Sequence, residues 1–80
     1  MDYYSDEVKK HIYEVKSRLP ADFPLQTRII EDDVFFIVIC IPMKDFVWRT
    51  VEDRLHIALE IEKLRTLIQE TGITCVIEKD

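Results

Sequence analysis

Four side chains in this sequence belong to the types that ligate zinc or carry thiol chemistry: His11, Cys40, His56 and Cys75. Their spacing suits neither task. Compact zinc modules set cysteines two to four residues apart and histidines three to five apart, so that a short loop wraps the ion. Every gap here is far wider. A nucleophilic cysteine needs a thiolate in an electropositive, partly exposed place. Cys40 stands between Ile39 and Ile41 and Cys75 is followed by Val76-Ile77, so both read as small buried apolar groups. They are expected to be unbridged and to sit as neighbours across a sheet. His56 has Glu52 and Glu60 four residues to either side, the pattern of a solvated helix face. Gly72 is the sole glycine, which excludes a glycine-rich phosphate loop and a nucleophile elbow. No catalytic residue, metal site or cofactor follows from these residues.

Two further segments carry recognisable chemistry. Glu31-Asp32-Asp33 clusters oxygens that suit a hard cation, but without calcium-loop spacing; three acids at a turn serve solubility. Met43-Lys44-Asp45-Phe46-Val47-Trp48-Arg49 holds the only tryptophan. Trp, Arg, Met and aromatic residues are enriched at the centres of protein interfaces. Met43, Phe46, Trp48 and Arg49 are therefore the expected partner-binding residues. In the competing reading, Phe46 and Trp48 plug the end of the core.

The elements that must position these groups are legible from periodicity. Ser5 precedes Asp6-Glu7 and an apolar stripe at Val8, Ile12, Val15 and Leu19, the signature of a capped helix that Pro20 ends. Residues 25–30 read as an edge strand. The run Val34 to Ile41 is dominated by β-branched and aromatic residues, which favours a strand, and Pro42 stops it. Asp32-Asp33 then joins two strands of a hairpin. Thr50 with Asp53 three residues on is a capping-box variant opening a long helix, and Gly72 is placed to close it. Residues 73–78 alternate as a last strand.

The predicted order is α-β-β-α-β: an α+β fold with a three-stranded mixed sheet, strand 34–41 at its centre, and two helices packed on one face. A strand apolar on both faces belongs in the middle, and a crossover through the long helix sets the last strand parallel beside it. In element order this is similar to type II KH-like and BolA-like layouts, and to a ferredoxin-like fold without its first strand. The likeness is topological only, since no Gly-x-x-Gly is present.

Eighty residues with 48% hydrophobic content make one domain, residues 1–80. A chain this short buries only about 60–65% of its unfolded surface, and often depends on disulfide, metal or association for stability. The acidic start Met1-Asp2-Tyr3-Tyr4 is unlike a secretory leader, so a reducing, cytoplasmic setting is expected. No apolar run approaches a membrane span. The net charge of −5 opposes phosphate backbones and anionic membranes. Lys44, Arg49, Arg54, Lys63 and Arg65 are interleaved with Asp45, Glu52, Asp53, Glu60 and Glu62, which cancels any basic patch.

What remains is a surplus of apolar surface. Both parities of strand 34–41 are apolar, Val76 adds to the second, and the long helix is apolar over more than half its circumference. An ordinary surface helix needs a stripe of only ~100–140°. Large apolar patches are seldom left bare on soluble monomers. Phe35, Ile37 and Ile39 from the sheet, with Leu64, Leu67 and Ile68 from the helix, are the expected dimer or partner surface. The chain is thus expected to be a small acidic, non-enzymatic protein-interaction module, a homodimer or a subunit or inhibitor of another protein. The alternative is a nucleic-acid-binding domain of KH-like or BolA-like topology lacking the glycine loop.

Overall fold

The computed structural model describes residues 6–31 and 35–80, with Glu31 and Phe35 described by their backbone. The Ser5 cap, Tyr3-Tyr4 and the Asp32-Asp33 turn lie outside the described residues. Six elements follow in order: α1 (Asp6–Arg18), β1 (Gln26–Glu31), β2 (Phe35–Ile41), α2 (Met43–Phe46), α3 (Val51–Glu70) and β3 (Thr74–Lys79). The sheet order is β1-β2-β3, with β1 antiparallel and β3 parallel to the central β2. This is the α+β arrangement that the apolar central strand and the long crossover helix imply.

Local chemistry sets the boundaries. The Thr50 side chain accepts from the Asp53 backbone N–H at 3.1 Å, satisfying a donor that the first helical turn leaves free. At the other end Thr71 Oγ1 donates to the Ile68 carbonyl at 2.6 Å, and Gly72 turns the chain at φ 91°, a conformation that costs a side-chain-bearing residue energy. The stretch after Pro42, read as irregular from the sequence, contains the four-residue helix α2. One turn is too short for periodicity to reveal.

The core lies between the helices and one face of the sheet. Val8, Val15 and Leu19 from α1 meet Ile57, Ile61, Leu64 and Ile68 from α3, and both helices cover Ile37, Ile39, Ile41 and Cys75. These strand residues share one parity, so both helices occupy one face. Four of the residues expected on a partner surface are therefore placed differently: Ile37, Ile39, Leu64 and Ile68 are fully buried inside this chain's own core. The sequence cannot choose between two apolar parities of β2. The register with β3 makes the choice, pairing Ile37 with Cys75 and Ile39 with Ile77 beneath α3. The helix-free face carries the other parity, Phe36, Val38 and Cys40, flanked by Arg28 on β1 and by Val76 and Glu78 on β3.

Candidate interaction surface

The geometry of α3 separates its apolar residues into two sides. At about 100° per residue, Ile57, Ile61, Leu64 and Ile68 form the buried side. Opposite them Val51, Leu55 and Leu59 rise on successive turns, 62%, 61% and 63% exposed. The sequence contains a signal that distinguishes the two. The core stripe runs apolar to the end of the helix, whereas the Val51-Leu55-Leu59 stripe gives way to Glu62 and Thr66. Only a stripe facing the core must stay apolar over its whole length. Two depressions border the outward side. One, of about 420 Å³, is lined by Leu59, Glu62, Lys63, Thr66 and Leu67. The other, of about 340 Å³, runs between α3, α2 and β3 past Met43, Phe46, Ala58 and Ile77. Leu67 is half-buried on the rim of the first.

The segment around the tryptophan divides. Met43 and Phe46 are partly buried against the core. Arg49 is held rather than offered: its Nε donates to Asp45 at 2.7 Å, its second nitrogen to Asp22 at 3.1 Å, and its guanidinium lies 5.3 Å from the Phe23 ring centroid. The bond to Asp45 above all keeps the group firmly charged. Trp48 alone among the four projects freely, 89% exposed. It does not plug the core; Phe46 does that on its own.

The polar groups that the fold brings together tie elements to one another. Glu60 is buried on α3 although charged. Arg18 Nε at the end of α1 donates to it at 2.7 Å and Lys63 Nζ at 3.3 Å. The Arg18 bond holds the Glu60 carboxyl below the usual carboxylate range, against the opposing effect of burial. His56 Nε2 donates to the Arg18 carbonyl at 2.7 Å, satisfying an acceptor at the C-terminal end of α1. His56 and Glu60 thus form one tie between the helices. On the helix-free face, Arg28 of β1 bonds Glu78 of β3 over the strand between them. Val38 beneath this face is 2% exposed.

The cysteines are unbridged but are not neighbours. Cys75 points into the core beside Ile37, and burial pushes its thiol up to about 11. Cys40 lies on the opposite face, level with Gln26 and Glu78. Among the described residues no group of three or more His, Cys, Asp and Glu side chains converges as a metal site would require. No helix among the described residues is long and apolar enough to cross a membrane. The chain matches no protein-family model, no curated protein and no solved structure.

Proposed function

We propose that the chain is a non-enzymatic protein-interaction module that engages another protein chain along the outward side of α3. The observation that carries this is the stripe Val51, Leu55 and Leu59, three large apolar side chains on successive turns, each more than three-fifths exposed. Solvating such a stripe forgoes hydrophobic free energy that a partner recovers on covering it. The amphipathic groove-and-ridge geometry is that of helix-mediated recognition, with anchors four residues apart. A binding role is further supported by how the titratable groups are used. Arg18, Glu60 and His56 join two helices, Arg49 is shared by Asp45 and Asp22, and Arg28 is engaged by Glu78. Each set is committed to holding the fold. These same commitments weigh against nucleic-acid binding, since three arginines that would contact phosphates already face carboxylates. A reducing, cytoplasmic setting accords with two unbridged cysteines on opposite faces of the sheet.

Site-specific photocrosslinking in cells tests the reading. A photoreactive phenylalanine analogue at Leu55 is expected to trap a protein chain, while the same group at the exposed Tyr13 on α1 traps none. Equal labelling at both positions, or none at either, overturns it.

A further inference from the structure

We infer that the occupant of the α3 stripe is a second copy of this chain, with the two α3 helices antiparallel about a two-fold axis near Ile57. The inference rests on the interaction reading above and supplies its partner. Its basis is the charge pattern flanking the stripe. Viewed down α3 with Leu55 facing outward, Glu52 and Lys63 fall on one flank, and Arg54 on the other, with Glu62 turned slightly to that side. In an antiparallel two-fold pair, each flank meets the same flank of the second copy in reverse order. With the axis near Ile57, Leu55 lies opposite Leu59 of the second copy. Glu52 comes within about one residue rise of Lys63 of the second copy, and Arg54 within about two of Glu62. Both charge pairs join opposite signs, and the symmetry repeats each of them. A parallel pair fails the same test, because it sets Glu62 near the seam against itself.

A second observation agrees with this pairing. Glu52 and Arg54 take no part in the ion pairs found among the described residues, although their neighbours Glu60, Glu62, Lys63 and Arg65 all do. Arg54 Nε is shielded from solvent without a hydrogen-bond partner. Of the four charged side chains of α3 outside those ion pairs, Glu52, Asp53, Arg54 and Glu70, the antiparallel pair supplies Glu52 and Arg54 with partners.

The experiment has two arms. Sedimentation of the wild-type chain across micromolar to sub-millimolar concentrations is expected to show a twofold rise in mass. Leu55→Glu keeps the helical circular-dichroism signal, since the site is exposed, and weakens association by about 100-fold or more by setting two carboxylates in an apolar seam. In a Cys40→Ser background, a mixture of Leu55→Cys and Leu59→Cys chains is expected to crosslink mainly as the mixed pair. Predominance of Leu55→Cys with itself overturns the antiparallel arrangement. A monomer mass at every concentration overturns the second copy as occupant. If crosslinking from position 55 then still traps a different protein, the interaction reading survives its partner's refutation; if it traps nothing, both fall.

Discussion

The two sides of α3 make opposite demands on leucine, and truncating one leucine on each side measures the difference. Leu64 is fully buried between the sheet and α1, whereas Leu55, two and a half turns earlier, is 61% exposed. Removing a buried leucine side chain costs its transfer free energy and leaves a cavity, together about 2–5 kcal/mol. A chain of 80 residues has a total stability of roughly 4–12 kcal/mol, so Leu64→Ala removes a large share of it. At about 4–8 °C per kcal/mol for a domain of this size, Tm falls by roughly 8 °C or more. Leu55 has about two-fifths of its surface covered, part of which alanine keeps, and alanine is the better helix former. Leu55→Ala therefore changes monomer stability by only about 0.5 kcal/mol. The assay is urea unfolding of both variants and wild type over a series of protein concentrations. At the lowest concentration the two variants separate as above. As concentration rises, the wild-type midpoint climbs by mass action and Leu55→Ala does not follow. Equal losses at high dilution would show that the outward and inward sides of α3 have been misassigned.

Other consequences are as direct. Because Arg18 holds the folded Glu60 carboxyl below its unfolded value, the stability it contributes is present above the unfolded carboxylate pKa and is lost as pH falls through the folded one. The unfolding free energies of wild type and Glu60→Gln, compared from pH 7 downward, converge in acid; a gap that stays constant with pH refutes this role. Trp48→Ala leaves Tm unchanged within about 2–4 °C, the equivalent of 0.5 kcal/mol, while Phe46→Ala lowers it clearly, as thermal melts followed by circular dichroism will show. A thiol reagent modifies Cys40 in the native protein and reaches Cys75 only at the rate of unfolding, because that thiol is buried and its pKa is about 11; mass spectrometry of the time course separates the two.

Much of the fold was legible because its signals are local or lie in one strand. Thr50 with Asp53 and the lone Gly72 fixed the ends of α3, and a run apolar on both faces could only be the central strand. The choice of parity in β2 was not legible, since Phe36-Val38-Cys40 is nearly as apolar as Ile37-Ile39-Ile41. Pairing with β3 decides it, and that information is long-range. The same holds for Glu60. Three residues from a lysine on its own helix its charge looked solvated, but its main partner, Arg18, lies 42 positions away. The exposed stripe was visible in part: Val51, Leu55 and Leu59 belonged to the over-wide apolar arc, but the inward half of that arc was taken for the contact surface.

The parallel pairing of β2 with β3 also bears on how the chain assembles. The β1–β2 hairpin joins near neighbours, whereas Phe36 meets Thr74 only after α3 has been laid between them. Closing so long a loop costs entropy before any of its contacts form, so the hairpin and helices can gather while β3 is still undocked. In that interval one edge of the most apolar strand is open along Phe36 to Ile41, a template on which another chain's strand can form a ladder. The rate at which β3 arrives thus sets a contest between correct closure and aggregation. Dilution favours closure, and refolding yield falls as chain concentration rises.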